Sequence, residues 1–360
     1  MATLSCGARL GVDWWASATD EPFTHRMGSQ MIRMRRRSFV SGLAGAVAIG
    51  PLASEAQQPA LPIISFLSSR SPGADASLIG SFKRGLATAG YSDGGNVIID
   101  YRWANGDYTL LHSLAVDLVR KPVSVLVATG GTPAAQAAKA ATSTVPIVFT
   151  TADDPVKVGL VASLQRPGGN LTGITASFVE TASKRLELLQ DLLPKASRIG
   201  LLVNPLNPAT IREAAGIQEA AQKTGQQVHI LNASDAREIG ETYAGLKRND
   251  IDAVIVAPDP YFFLQAPHLV GLEHEHSSPT LYFRREFVVA GGLLSYGSDF
   301  AEHFRIVGVY AGRILRGAKP AGMPVQQPTT FELVLNLRTA RALGLDIPST
   351  FLVRADAIIE

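Results

Sequence analysis

The feature that most limits the possible folds is an alternation of short apolar segments with amphipathic helical segments, which occurs twice along the chain. The segments that predict strands are residues 62–69, 95–103, 123–130 and 145–151 in the first series, and residues 197–205, 226–234 and 251–260 in the second. Strands that alternate with helices need crossover connections, which produce a parallel sheet with helices on both faces. Because the pattern restarts, we predict an α/β fold with two doubly wound parallel-sheet lobes that face each other across a cleft.

Residues 34–56 have the pattern of an export signal. Three arginines at 35–37 precede an apolar segment at 39–52, and small residues around Glu55 fit a cleavage site after Ala56. The apolar segment is too short for a permanent membrane anchor, so we predict cleavage and a periplasmic location. The arginines resemble a twin-arginine signal, and the Sec route stays open. Residues 1–33 are interpreted as an extension upstream of the true start.

Charge and cysteine content narrow the classes of function. Six of the 33 basic and four of the 31 acidic residues precede residue 57, so the remaining chain has no formal net charge. We therefore expect no nucleic-acid partner. Cys6 is the only cysteine and lies in the predicted extension, which leaves no disulfide and no thiolate nucleophile in the mature chain.

Polar residues follow the carboxyl ends of most of the predicted strands, which is where open parallel sheets bind ligands. Most of these residues are small, hydroxylated or acidic. They are residues 68–70, 130–132 and 150–154 in the first series, and residues 204, 205, 259–261, 282, 284 and 286 in the second.

The loop at Gly130 and Gly131 does not match either of the common phosphate-binding patterns. No Lys-Ser/Thr pair follows the glycines, and their spacing differs from that of the dinucleotide fingerprint. The loop offers backbone N–H groups at a helix N-terminus, which suit an anion or a carboxylate. It also fits a plain strand–helix turn in which Thr132 is the N-cap and Pro133 the first helical residue.

The sequence does not contain a convincing set of catalytic residues. A G-x-S-x-G nucleophile elbow is absent. Asp153 and Asp154 suit an acid–base pair or a partner for a ligand amine, and Asp154 also suits the cap of a short following helix. His274 and His276 are two residues apart and fit a surface loop better than a metal site. We therefore expect no catalytic residue, no metal and no cofactor.

Several long segments resemble one family. They include "ISFLSS", "VATGGTPAAQAAKAATSTVPIVFTTADDPVKVGLVASLQRPGGNLTGIT" and "GGLLSYGSDFAEHFRIVGVYAGRILRG". Across residues 60–358 the chain is similar to the ABC transporter substrate-binding protein family with the type I periplasmic binding fold, and is related to the tryptophan/tyrosine-binding branch.

The resemblance implies two lobes joined by three crossing segments, with a ligand clamped between them. The first lobe would comprise residues 61–173 and 295–327, the second residues 174–294 and 328–360, with crossings near 172–175, 296–298 and 328–331. The implied ligand-binding residues are Ser68, Ser69, Thr129, Gly130, Gly131, Thr132, Thr150, Thr151, Asp153, Asp154, Asn204, Asp259, Pro260, Tyr261, Tyr282, Arg284 and Glu286.

In this interpretation, the backbone at Gly131 and Thr132 would hold a ligand carboxylate. Asp153, Asp154, Asp259 or Glu286 would pair with an amine, and Tyr261, Phe262 or Tyr282 would contact an apolar part. The implied function is import: a monomer binds a small molecule and presents it to an ABC permease. The alternatives are an exported α/β hydrolase and a sensor module for a membrane receptor. The effector domain of a LacI-type repressor is disfavoured by the export signal.

Overall fold

The computed structural model describes residues 60–176 and 181–360. The predicted upstream extension, the export signal and the cleavage site after Ala56 lie outside the described residues. Within the described part of the chain, the helices are all too short or too polar to cross a membrane.

The described chain contains twelve strands, and a helix or helical turn follows each of them up to β11 except β4, which continues into turns. The strands are β1 Ile63–Ser68, β2 Ile98–Trp103, β3 Val125–Thr129, β4 Ile147–Thr151, β5 Leu171–Thr175, β6 Arg198–Val203, β7 Gln227–Asn232, β8 Ala253–Val256, β9 Thr280–Tyr282, β10 Leu294–Gly297, β11 Glu332–Asn336 and β12 Ala357–Ile359.

The helices are α1 Pro72–Thr88, α2 Leu111–Val119, α3 Thr132–Ala141, α4 Ala182–Leu192, α5 Pro208–Thr224, α6 Ala236–Gly245, α7 Pro260–Leu264, α8 Ala266–His276, α9 Arg285–Val289, α10 Phe300–Leu315, α11 Leu337–Ala342 and α12 Ser349–Leu352. Single 3-10 turns occupy Tyr108–Leu110 and Pro320–Gly322.

The first sheet has five parallel strands in the order β2-β1-β3-β4-β5. Helices α1 and α10 pack against each other and build one core with residues such as Phe66, Phe82 and Phe304. Helices α2 and α3 pack together and contribute to a second core on the same sheet. Strands β1, β3, β4 and β5 are buried almost throughout, as expected where helices cover both faces of a parallel sheet, whereas the edge strand β2 is mostly half-buried.

The second sheet has seven strands in the order β12-β11-β10-β9-β8-β6-β7, and every pair is parallel except β10 with β11. The chain leaves this sheet after β10 and forms α10 on the first sheet. It pairs beside β5 at Gln326 and then returns as β11. Because β11 starts where β10 ends, it runs in the opposite direction.

These observations confirm the predicted α/β class with two parallel-dominated sheets. Strand β5 extends to Thr175 and β10 to Gly297, so each ends inside a predicted crossing segment. Three local predictions are wrong. Residues 155–160 form turns and not a short helix, and His274 and His276 belong to α8 and not to a loop. Helix α3 begins one residue earlier than predicted, with Gly131 as its N-cap and Thr132 as its first residue.

Candidate functional site

A cavity lies between the two sheets, next to the loops that follow their strands. The first sheet and its helices contribute Arg70, Gly131, Thr150, Thr151, Ala152, Ile174, Ala176, Phe300 and His303; the second contributes Pro258, Asp259, Pro260, Phe263, Phe283 and Arg284. The space in which the centre of a water molecule fits is about 40 Å³. The lining combines two arginines with three phenylalanines, so the cavity suits a ligand with a polar end and an apolar body.

Arg70 is held in the loop after β1 by a buried ion pair. It is 3% exposed, and its Nε donates to Oδ1 of Asp75 over 2.6 Å. Asp75 also accepts a hydrogen bond from Nε1 of Trp103 over 3.3 Å, and the guanidinium carbon of Arg70 lies 5.4 Å from the ring centroid of Phe304. Nη2 of Arg70 is buried and has no hydrogen-bond partner among the described residues. An unpaired buried donor is costly, so this atom is suited to receive an acceptor from a ligand.

Arg284 lies between two aromatic rings. Its guanidinium carbon is 4.0 Å from the ring centroid of Phe263 and 4.0 Å from that of Phe300. Its Nε donates to Glu286 over 3.1 Å, and a second contact joins Nη2 to the same carboxylate. Burial lowers the pKa of Arg284, and the Glu286 charge opposes this effect. Phe263 belongs to α7 on the side of the second sheet, and Phe300 belongs to α10 on the side of the first sheet. Arg284 therefore joins the two sides of the cavity through cation–π contacts.

Asp259 is the N-cap of α7 and is 1% exposed. Its carboxylate accepts five hydrogen bonds: from the side-chain amides of Asn204 and Asn207, the hydroxyl of Tyr108, and the backbone N–H groups of Tyr261 and Phe262. Burial raises the pKa of Asp259, and the hydrogen bonds from Asn207, Asn204 and Tyr108 oppose the rise. An ionised carboxylate has about four lone-pair sites, so little acceptor capacity remains for a ligand.

Two polar contacts connect the sides of the cavity directly. Arg212 of α5 donates two hydrogen bonds to Asp153 of the loop after β4, over 2.7 and 2.6 Å. The hydroxyl of Tyr108 donates to Asp259 over 2.9 Å and accepts the N–H of Tyr261 over 3.1 Å. Each contact joins a residue on the side of the first sheet to one on the side of the second, so both depend on the distance between the two sides.

The structure places some of the sequence-predicted residues on the cavity and others elsewhere. Those that line it are Gly131, Thr150, Thr151, Asp259, Pro260 and Arg284. Those that do not are Ser68, Ser69, Thr129, Gly130, Thr132, Asp153, Asp154, Asn204, Tyr261, Tyr282 and Glu286. A role for either group in ligand binding stays a prediction.

Several residues of the second group have partners that explain their positions. The hydroxyl of Ser69 donates to the carbonyl of Gly130 over 2.6 Å, and that of Thr132 donates to Asp153 over 2.6 Å. Asp154 accepts the N–H of Val156 and so caps a turn. These contacts fix the loops around the cavity without placing the side chains in it.

The predicted aromatic contacts differ most from the structure. The hydroxyl of Tyr282 donates to the buried Glu273 over 2.9 Å, inside the core of the second sheet. Phe262 is 0% exposed and belongs to that core, whereas the next residue, Phe263, lines the cavity. Residues 261–263 are three consecutive aromatic residues, and the sequence alone does not reveal which of their rings turns toward the cavity.

The implied set of ligand-binding residues omits Arg70, Phe263, Phe283, Phe300 and His303, which all line the cavity. Arg70 directly follows the predicted Ser69, so its position in the first loop was the available signal. Phe300 and His303 belong to α10, which reaches the cavity only through its packing on the first sheet. Burial lowers the pKa of His303 to about 4, so this imidazole is neutral near pH 7.

Two parallel-dominated sheets that face each other across a cavity define the type I periplasmic binding fold. The chain belongs to the ABC transporter substrate binding protein family, whose model matches residues 62–359. It is 30% identical over 264 residues to the tyrosine-binding protein of Clostridioides difficile (strain R20291), an alignment that covers 73% of this chain and 75% of the relative.

Two solved structures of related proteins have known ligand states. The ABC domain from Streptococcus pneumonia in complex with L-Trp is 28% identical, with a TM-score of 0.75, and the match covers 83% of this chain and 100% of the other. A ligand-free, open substrate-binding protein with adhesive properties from Clostridium difficile is 26% identical, with a TM-score of 0.59, and the match covers 83% and 99%. Identity and coverage are nearly equal in the two cases. The higher TM-score therefore means that the present chain is closer in shape to the protein in the ligand complex.

Proposed function

We propose that this protein is an exported solute-binding protein, which closes on an amino acid or a related small carboxylate or aromatic compound and delivers it to an ABC import permease. The observation that carries the proposal is the pair of polar contacts across the cavity, Arg212 with Asp153 and Tyr108 with Asp259. The cavity between the two sides is lined by two buried arginines and three phenylalanines.

Binding works in this proposal as a population shift between an open and a closed form. The inter-sheet contacts exist only when the two sides are close, and a ligand that touches both sides adds further contacts to the closed form alone. A ligand that touched one side equally in both forms would leave the equilibrium unchanged. The higher TM-score to the L-Trp complex than to the open protein supports the assignment of this conformation to the closed form.

The relatives favour an amino acid or a similar solute, because one is named for tyrosine binding and another was crystallised with L-Trp. We further propose that residues 34–56 direct export, that cleavage follows Ala56, and that the protein acts as a monomer. The first lobe would hold the first sheet with α10, and the second lobe would hold the second sheet. Closure would then present a combined surface of both lobes to the permease.

A thermal-shift screen of the purified protein against amino acids, aromatic acids, small carboxylates and purines tests the proposal. We expect one chemical class to raise the unfolding temperature, and we expect mass spectrometry to recover that compound unchanged. Trp103 is the only tryptophan after Ala56 and contacts Asp75, the partner of Arg70, so its fluorescence should respond to ligand in the processed chain. A compound that is consumed would support the hydrolase, and a screen without any hit would contradict solute binding.

A further inference from the structure

We infer that the ligand is a small aromatic carboxylic acid without an amino group, and that Arg70 binds its carboxylate. The inference rests on the proposed function and specifies its ligand. It departs from the amino acids that the related proteins bind, and it is argued from which polar groups of the cavity already have partners.

The cavity contains a buried donor that lacks an acceptor. Nη2 of Arg70 has no hydrogen-bond partner in the described structure, although Nε of the same guanidinium is bound to Asp75. Gly131 lines the same cavity and is the N-cap of α3, whose dipole favours negative charge at this end. A carboxylate is the group that satisfies a guanidinium nitrogen and a helix N-terminus together.

Among the described residues of the lining, no carboxylate has free acceptor capacity for an ammonium group. Asp259 is the only carboxylate that lines the cavity there, and its five hydrogen bonds already use its oxygens. Nearby, the carboxylate of Asp153 accepts hydrogen bonds from Arg212 and Thr132, and the carboxylate of Glu286 accepts one from Arg284. A buried ammonium without a carboxylate partner is costly, so the cavity discriminates against the amino group of an amino acid.

The rest of the lining suits a small aromatic body. Phe263, Phe283 and Phe300 line the cavity together with Ile174. The space in the cavity that is open to the centre of a water molecule is about 40 Å³. A single water needs roughly 10–15 Å³ of this space, so the cavity is small for a ligand. A single ring with a short carboxylate arm fits this volume better than an indole with an amino acid backbone.

Pairs of compounds that differ only in the amino group test the inference directly. Isothermal titration calorimetry of the purified protein would compare 3-phenylpropanoate with L-phenylalanine, and 3-(4-hydroxyphenyl)propanoate with L-tyrosine, with benzoate and phenylacetate as shorter probes. We expect at least one deaminated acid to bind tenfold or more tightly than its amino acid. Equal affinities, or tighter binding of the amino acid, would overturn the inference and leave the proposed solute-binding function intact. If all of these compounds and L-Trp fail to bind, the inference is overturned, and the proposed function loses the ligands that support it.

The variant Arg70→Lys tests the role of the arginine. Lysine keeps a positive charge beside Asp75 but removes Nη2, and the loss of a charged hydrogen bond should weaken carboxylate binding roughly 10- to 100-fold. Arg120→Lys is the control, because Arg120 pairs with Asp117 on the protein surface. This variant should bind the carboxylic acid as tightly as the wild type does. Unchanged affinity in folded Arg70→Lys would rule out Arg70 as the carboxylate partner. If that variant does not fold, the compound pairs still decide the ligand class.

Discussion

Arg212 and Asp153 form a two-point ion pair although they belong to opposite sides of the cavity. Nε and Nη2 of the arginine donate to the two carboxylate oxygens over 2.7 and 2.6 Å. Asp153 is 1% exposed, whereas the Arg212 side chain is 39% exposed. The hydrogen bond to Asp153 raises the pKa of Arg212, which therefore stays charged. In the proposed function this pair is a polar latch, whose strength contributes to the balance between the closed and open forms.

The first prediction is that Arg212→Ala weakens ligand binding by destabilising the closed form. A partly exposed ion pair contributes about 1–2 kcal/mol when its geometry is bidentate, so we expect a roughly 5- to 30-fold rise in Kd. Calorimetry with any ligand from the screen provides the measurement. Arg237→Ala is the matched control, because Arg237 forms an exposed ion pair with Glu241 within α6. This variant should leave Kd unchanged. A Kd that is unaltered in Arg212→Ala would exclude the latch.

The second prediction concerns the hydroxyl of Tyr108, which donates to Asp259 and accepts from the N–H of Tyr261. Tyr108→Phe removes both hydrogen bonds and leaves the ring in place. We expect a loss of about 1–2 kcal/mol of closed-state stability and a similar 5- to 30-fold loss of affinity. The double variant with Arg212→Ala should show nearly additive losses if the two contacts act independently.

The positions of the strands and of most helices could be predicted because the signals are local. An apolar run bounded by turn residues, followed by an amphipathic segment, predicts a strand and its crossover helix wherever it occurs. The antiparallel pairing of β10 with β11 had no such signal. It depends on the chain's detour through α10 to the first sheet, which is a long-range relationship.

The candidate site was predictable only to the level of loops. Gly131, Thr150 and Asp259 line the cavity, as expected for residues at the carboxyl ends of parallel strands. Within a loop, the backbone conformation decides which side chain turns inward. Ser68 accepts the N–H of Arg70, and Ser69 donates to Gly130, so Arg70 is the residue of the first loop that reaches the cavity.

The third prediction tests the close approach of α1 and α10 on the first sheet. A Cβ added at Gly308 would overlap the carbonyl oxygen of Phe82, which is backbone and cannot turn away. We expect Gly308→Ala to cost about 3 kcal/mol or more in the free energy of unfolding, since overpacking forces the helices apart. Gly80→Ala in α1 is the control, because its Cβ would meet only Nη1 of Arg84 at an ordinary 3.6 Å. That control should stabilise the protein by about 0.5–1 kcal/mol. Urea denaturation measures both, and equal effects would contradict the packing argument.

The fourth prediction concerns the buried Glu273 in the core of the second sheet. Its carboxyl group contacts the hydroxyl of Tyr282 and the N–H groups of Thr280 and Leu293. Burial raises the pKa of Glu273 to about 8, well above its value in an unfolded chain. The folded protein therefore holds a proton that the unfolded chain releases, and this contribution to stability is complete below about pH 4.5 and lost as the pH rises through about 8.

We expect Glu273→Gln to remove this loss, because the amide is isosteric with the protonated acid and needs no proton. Urea denaturation at each pH gives the free energy of unfolding. For the wild type this free energy should fall between pH 5 and pH 8, with a slope of at most about 1.4 kcal/mol per pH unit, and the fall should be absent or reduced in the variant. His303 acts in the opposite direction below pH 6.5, since its depressed pKa removes stability as the pH falls toward 4, and it is present in both proteins. The difference between the two profiles therefore isolates Glu273, and parallel profiles from pH 5 to 8 would show that this carboxyl group is ionised in the folded protein throughout that range.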